Sequence, residues 1–536
     1  MSPSMQGKIV NSIDLYCFIL LAIESNIKLH KIMKSFVLQT KEGLFLETKS
    51  EATSMTDIEV DLEKVDDGAD KKVKPAKGEN SRIYLQLISS IVVNLTLLAS
   101  GICFSWSAIA VEQYEDLKNV DNAGWVVVAL NIGAIFGPIL SALLLNRIGR
   151  KWLIYATSVP FIACWILTYF EKSWAYLFVA RFCAGISVGI LYATVPLYIG
   201  ELVETKIRGV CSSMMPVMLH LGYMFVYGVG PRVDKRIFAL MNIVPIAVFL
   251  LTAIWLPESP YYYLMKNKEK CATLTLAWLR RKNNNNDEIE EMKKSVEAEK
   301  QGGYKELFMV AAHRKALLLV LLLLAGQQFS GYMGILSYAS TLVRSFHTNF
   351  DNNSILLVIS AMSMITCLIS SCVVDKLGRK PVFLISSYGS SLCLIVIGVY
   401  FLLEKLDMDV RSLSMIPLIA LIVYIVSVAF GLSSIPAIIT SEIFSIDMKN
   451  WATMVTNVYG SILAIIVGKC YQLVSDHVGN HVIFLAFAII ELVIAITASV
   501  VMPETSRKTF TQIQEILNKN TAKHSNKTKG EEEETK

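Results

Sequence analysis

The sequence predicts an all-α membrane protein in which twelve transmembrane helices form two pseudo-symmetric six-helix bundles. Three observations predict it. Twelve apolar runs each approach the ~20 residues that a helix needs to cross a bilayer. Only 18% of the 536 residues are charged and 54% are hydrophobic, with a mean hydropathy of +0.49, too little charge to coat a soluble protein of this length. The charged link Asn146-Arg-Ile-Gly-Arg-Lys151 returns as Asp375-Lys-Leu-Gly-Arg-Lys380 at matching places in the two hydrophobic halves. Each copy suits a tight turn at a membrane surface, with Gly149 or Gly378 allowing the bend and basic residues facing the cytoplasm. One copy carries little; two in matching places point to an internal repeat.

Taken in order, the chain opens on a segment, 1–81, unlike the rest. Leu15 to Ile23 is apolar but too short to span, Glu24 follows at once, and no convincing signal-peptide cleavage site is present. The chain is acidic from Asp57 to Asp70 and basic from Lys71 to Arg82, the composition of a disordered cytoplasmic tail. The alternative is that part of it is a gene-model extension, since Met33 and Met55 also offer starts.

Spans are expected at 84–111, 123–145, 152–170, 174–200, 210–231 and 237–256, then at 316–344, 354–374, 381–403, 413–440, 451–474 and 481–502. Helices are the only option, because lipid leaves unpaired backbone groups unsatisfied and no barrel-like alternation is present. The division is a first bundle at 82–256, a cytoplasmic linker at 257–315, a second bundle at 316–502 and a cytoplasmic tail at 503–536. Within the linker, Glu269 to Lys282 and Asp287 to Glu306 favour short surface helices broken at Asn283 to Asn286; a floppy linker is the alternative.

An even number of spans puts both termini on one side, and the basic links choose it. Arg147, Arg150 and Lys151, Lys376, Arg379 and Lys380, and the lysines and arginines of the linker all fall on the tail side, which predicts cytoplasmic termini in a cell-membrane protein. The acidic first outer loop (Glu112, Glu115, Asp116, Asp121) and the sequon Asn352-Asn-Ser354 agree, whereas Arg232-Val-Asp-Lys-Arg236 dissents. The bilayer is one expected partner, a small solute the other; a net charge of only +5 gives no indication of nucleic-acid binding. The ten cysteines match no zinc site or disulfide framework and read as small core residues. No cofactor or metal is expected. Nor is an enzyme, since no nucleophile triad, carboxylate pair or nucleotide loop stands in a plausible cavity.

Beyond the two glycine links, the motifs are Arg181 with Pro196-Leu-Tyr-Ile-Gly-Glu201 and Arg208-Gly209; Pro257-Glu-Ser-Pro260; Gln327-Gln-Phe-Ser-Gly331; Ser441-Glu-Ile-Phe444; and Pro503-Glu-Thr505 with Thr509-Phe510. Through their order and spacing the chain resembles the sugar porter family of the major facilitator superfamily, the insect trehalose-transporter-like members in particular, over about residues 82–516. The resemblance implies the major facilitator fold and alternating access, in which two bundles rock around a central site. It implies gate charges at Arg147, Arg150, Glu201 and Arg208 in the first half and at Asp375, Arg379, Glu442 and Lys449 in the second. Lys449 stands where the family usually has arginine, keeping the charge without the planar fork. The bland alternative is that these charges only set topology. Carboxylates do not serve that role, so Glu201 and Glu442 favour the gate.

Three charges lie inside apolar runs, where they normally face protein or water. Arg181 in span 4 is expected to pair with Glu201 or a helix end. Glu491 in span 12 is outside the family pattern; it reads as a proton or cation site, a partner for Lys469 in span 11, or local tolerance. His220 reads as a hydrogen-bonded packing residue rather than a proton relay.

A sugar needs amides for its hydroxyls and aromatic surface for its faces. Span 7 supplies Gln327 and Gln328, with Ser330 and Gly331 loosening the helix nearby and Tyr338 about three turns on. Other positions depart from the family: Pro216 replaces a glutamine, Met333 an asparagine, Ser363 an asparagine and Ala437 a tryptophan; Tyr261 replaces the arginine of the Pro-Glu-Ser-Pro motif. In span 11, the tryptophan and asparagine positions read Ser461 and Gly460. Each lost hydrogen bond costs roughly 1 kcal/mol or more, so the moving machinery is kept better than the sugar-reading lining. Span 1 lacks the acid that marks proton-driven members, which implies downhill transport. The leading expectation is a facilitative carrier of trehalose, a hexose or a related polyol. A same-fold carrier of a non-sugar solute and a non-transporting solute sensor are the alternatives.

Overall fold

The computed structural model describes residues 80–506 except 119, 281–285, 300–303, 348–349, 409, 411–412 and 445, together with 508 and 512. The expected tail at 1–81, save its last two residues, lies outside the described residues, as do 283–285, Thr509, Phe510 and most of 503–536. The described residues belong to one compact unit, Ala76–Lys536.

Among the described residues, twelve helical segments are long and apolar enough to cross a membrane. In the first half these are α1 (Ile83–Val111), α2 (Asp121–Ile148), α3 (Arg150–Tyr169), α4 (Trp174–Leu202), α5 (Lys206–Arg232) and α6 (Lys235–Ala253). In the second they are α7 (Ala311–Ser337), α8 (Asn352–Leu377), α9 (Arg379–Lys405), α10 (Met415–Ile443), α11 (Met448–His477) and α12 (Asn480–Val501). Large apolar side chains such as Val159, Leu251, Leu392 and Val500 stay open on the outside, as hydrocarbon contact requires.

The largest departure from expectation is α7. It begins at Ala311 rather than 316, breaks at Ser330–Gly331, and turns again at Tyr338 before a short helix, Ala339–Arg344. Gly331 has φ +82°, and a Cβ on it would fall 2.4 Å from the Phe487 ring, so only glycine fits. The break is tolerable because the freed Ser330 carbonyl accepts the Tyr424 hydroxyl at 2.9 Å. The matching span α10 winds into a π turn at Val428–Leu432 and loosens at Ser433–Ser434 before Pro436.

Within the halves α1 packs on α5, α2 on α4, and α9 on α10 and α12; across the halves α2 runs along α11 and α5 along α8. Small residues let backbones meet: a Cβ on Gly137 of α2 would lie 2.5 Å from the Gly189 Cα of α4. Both glycine links end an even-numbered helix, so they share one face of the bundle, termed here the motif face. The linker forms helices Pro260–Met265, Glu269–Arg280, Asn286–Glu299 and Tyr304–Met309. The middle helices share a small core of Leu276, Ile289, Met292 and Val296. Buried Arg280 fastens them to the first half, donating to the Leu202 carbonyl at 2.8 Å and pairing with Glu288 at 2.8 Å.

Candidate functional site

The motif face carries two ionic clusters built on one plan. At the first link Gly149 has φ +99°, which turns the chain so that α3 starts at Arg150 with its first N–H groups open. Glu258 fills that helix N-terminus, its Oε1 accepting from the Arg150 and Lys151 backbone nitrogens at 3.0 and 3.1 Å. The Arg150 guanidinium meets Glu201 with two nitrogens, Nε to Oε2 at 3.0 Å and Nη2 to Oε1 at 3.1 Å. The Ser259 hydroxyl donates to the same carboxylate, and Tyr198 donates to the Pro257 carbonyl. Arg150 is 1% exposed.

At the second link Gly378 has φ +94° and α9 starts at Arg379. Glu504 fills the N-terminus, accepting from the Arg379 and Lys380 backbone nitrogens at 2.9 and 3.0 Å. Arg379 Nη2 meets Glu442 at 2.8 Å and Asp375 at 3.0 Å, and Thr505 donates to Glu442 at 2.6 Å. The halves differ in wetness: Arg379 and Glu442 are 12% and 24% exposed, against 1% and 9% for the Arg150 and Glu201 side chains. Burial pushes the Glu258 carboxyl above its ordinary range, and its three backbone N–H donors and Arg150 offset only part of that. Burial raises Glu504 too, but there the N–H groups of Arg379, Ser506 and Lys380, with the Arg379 guanidinium, win and hold it below.

Glu258 and Glu504 were not among the expected gate residues. The signal was in the sequence, since Pro257-Glu-Ser and Pro503-Glu-Thr close the two halves alike. Other gate candidates fall elsewhere. Arg147 and Arg208 are exposed and form no ion pair among the described residues. Lys449 is half-buried within electrostatic reach of Arg208 and Glu442, bonded to neither. The ion pairs of the two clusters close within each half.

Arg181 corrects its expectation. It is buried far from Glu201, donates to the Cys103 carbonyl of α1, and lies 5.4 Å from the Trp106 ring centroid. Twenty residues of one continuous helix separate it from Glu201, about 30 Å at the helical rise. Lys469 does not pair with Glu491: it donates to Gln472 at 3.0 Å, while Glu491, 0% exposed, accepts from Ser390. His220 packs as read, Nδ1 2.8 Å from the Pro216 carbonyl and its ring against Tyr223. In the dissenting basic link at 232–236, Lys235 pairs with Glu171 and lies 4.6 Å from the Tyr114 ring centroid.

Within the second half, Gln327 reaches from the α7 break to the α10 break, Nε2 donating to the Ser433 carbonyl at 3.3 Å. Gln328 is buried with its Nε2 turned toward α11, 3.8 Å from where a Gly460 Cβ would sit. Ser330 spends its hydroxyl on the Gln327 carbonyl, and Met333 is half-buried. Tyr338 stacks on Tyr471 of α11, centroids 5.5 Å apart at 20°. Ser363 is buried and donates to the Ile359 carbonyl of its own helix. Sequence reasoning also missed a group of phenols from both halves. Tyr192, Tyr223 and Tyr227 of the first half lie within electrostatic reach of Tyr332 of the second. Tyr192 is 39% exposed.

A family model described as sugar (and other) transporter matches residues 89–517. The facilitated trehalose transporter Tret1 of Apis mellifera ligustica is 27% identical over 459 residues, covering 84% of this chain and 91% of that one. Its namesake in Bombyx mori is 27% identical over 448 residues, covering 82% and 88%. That of Anopheles gambiae is 27% identical over 443 residues, covering 81% of this chain but 56% of the relative. Among solved structures, the proton:xylose symporter XylE bound to 6-bromo-6-deoxy-D-glucose superposes with a TM-score of 0.68 over 82% of this chain and 100% of that one. Its inward open form scores 0.67. At 19% and 20% identity these likenesses are of fold alone.

Proposed function

Because this chain belongs to the sugar (and other) transporter family, a family of membrane carriers and not of enzymes, we propose that it is a facilitative carrier of trehalose, a hexose or a related polyol working by alternating access. The moving bodies are residues 82–256 and 316–502, joined by the linker at 257–315, with both termini cytoplasmic and the cell membrane as the site of action. One observation carries the reading. Each half closes its own arginine–glutamate–glutamate cluster, so each moves as a rigid body, and the cluster charges pair within their own half rather than across the motif face. That is the arrangement of a carrier released on its inner side. Exposed Arg147 and Arg208 are then the free charges that re-engage the second half on closure, with water solvating them meanwhile.

In this reading Gln327 and Gln328 are the sugar contacts, with Ser330 and Met333 shaping the break and Tyr338 bounding the cleft. Trehalose transport by the relatives supports the disaccharide. The phenol-rich cleft, with Met333 and Ala437, favours the second reading, a less polar solute on the same scaffold. Labelled trehalose, glucose and inositol uptake in oocytes tests the choice. At least one should enter saturably, and Gln327→Ala should lose about tenfold, as for one or two hydrogen bonds. Entry of none, with the protein at the surface, removes the sugar and polyol reading and leaves the family.

A further inference from the structure

Lys469 has no place in the sugar site or the motif clusters, yet it sits in an apolar helix. Its ammonium donates to Gln472 Oε1 at 3.0 Å and lies 4.6 Å from the ring centroid of Trp125 on α2, with Asp121 in electrostatic reach. The buried Gln472 amide rests directly on Gly124, where a Cβ would come within 1.5 Å of Oε1. One turn earlier Gly468 faces Val128 across the same seam, where a Cβ on the glycine would lie 3.4 Å from Val128 Cγ1. Gly124 and Trp125 belong to the first turn of α2, and Lys469 and Gln472 to the last turns of α11. The contact therefore joins the two halves at the face opposite the motifs.

We propose that Lys469 and Gln472 clasp Gly124 and Trp125 as a latch that holds the opposite face shut and lets go once per transport cycle. This rests on the alternating-access reading and adds the second gate that such a cycle requires. The chemistry suits a reversible contact. Trp125 is 47% exposed, so water is at hand to take the ammonium when the halves part. A cation over a ring at such a site attracts weakly, enough to bias two states without freezing one. Gly124 is the seat, because a larger side chain would stand where the amide lies.

The test is the opening of that seam in the full-length protein in nanodiscs. Val128→Cys places a thiol under Gly468, and its alkylation by a maleimide, read by mass spectrometry of that peptide, reports the fraction of time the face is open. Trp125→Ala and Lys469→Gln should each raise the rate about threefold, the value of one half-exposed cation–π contact. The double substitution should raise it no further than either alone, and Trp125→Phe, which keeps a ring, should stay near the parent. Unchanged rates in both single variants, or a double effect equal to the product of the singles, would overturn the latch. The readout needs no solute, so it stands whether or not a sugar is carried. If transport is found, the half-saturation concentrations for entry and exit should shift in opposite directions in the same variants.

Discussion

Glu201→Gln and Glu442→Gln remove one negative charge from equivalent places in the two halves, and their costs should differ severalfold. The structure supplies the difference. Removing the Glu201 charge leaves the Arg150 guanidinium at 1% exposure without a bonded carboxylate, its remaining neighbours being the Asn146 side chain at 3.3 Å, a Met265 sulfur, the Tyr262 ring centroid at 5.8 Å and Glu258 within electrostatic reach. A buried charge left without its partner costs about 3–5 kcal/mol. Removing Glu442 leaves Arg379 with Asp375 at 3.0 Å, Ser506 at 3.0 Å and water, its side chain being 12% exposed. Discounted for that solvent, the loss should be about 1 kcal/mol. The assay is thermal unfolding of the purified carrier in one detergent, followed by tryptophan fluorescence, with surface expression beside it. Arg150→Met combined with Glu201→Gln should recover most of the loss, because no unpaired charge remains. Equal destabilisation by the two single substitutions, or no recovery in the double variant, would refute the argument that burial sets the strength of these clusters.

Other outcomes follow from the same geometry. Glu258, raised by burial, favours the fold below its ordinary value of 4.5 and loses that contribution as pH rises through its raised value. Glu504, lowered, contributes above 4.5 and loses it as pH falls through its depressed value. Glu504→Gln should therefore flatten the acid limb of a stability–pH curve, whereas Glu258→Gln should flatten the limb above 4.5, both read by melting at stepped pH. Gly149→Ala and Gly378→Ala force a side chain into a left-handed turn and within 2.4 and 2.6 Å of the Glu258 and Glu504 carboxylates. Each should cost more than about 1 kcal/mol, seen as a lower yield of monodisperse protein, with the two halves similarly affected. Uptake should survive a protonophore, since α1 carries no acid between Ile83 and Val111; collapse of uptake would instead direct attention to Glu491.

Much of the scaffold was legible along the chain. Whether a segment enters lipid depends on its own composition, and whether a turn closes depends on a glycine at the turn, so the spans and the two links could be read locally. The repeated Arg150–Glu201 and Arg379–Glu442 pairs were within reach because the motifs come twice. The site was legible only in part. Ser363 looked like a cavity residue, but a hydroxyl on a helix can satisfy itself on the carbonyl four residues back, and nothing in the sequence decides which it does.

What the sequence by itself determined is the number of apolar helices, the internal repeat and the residue types of the two ionic clusters, because burial in lipid and helix termination are local properties. The tertiary structure alone decided partners. Glu258 reaches the start of a helix 108 residues away. Arg181 turns to a carbonyl of α1, and Lys469 crosses to a tryptophan in the other half. A charge in low dielectric takes whichever countergroup the packing brings within a few ångströms, and spacing along the chain does not encode that distance.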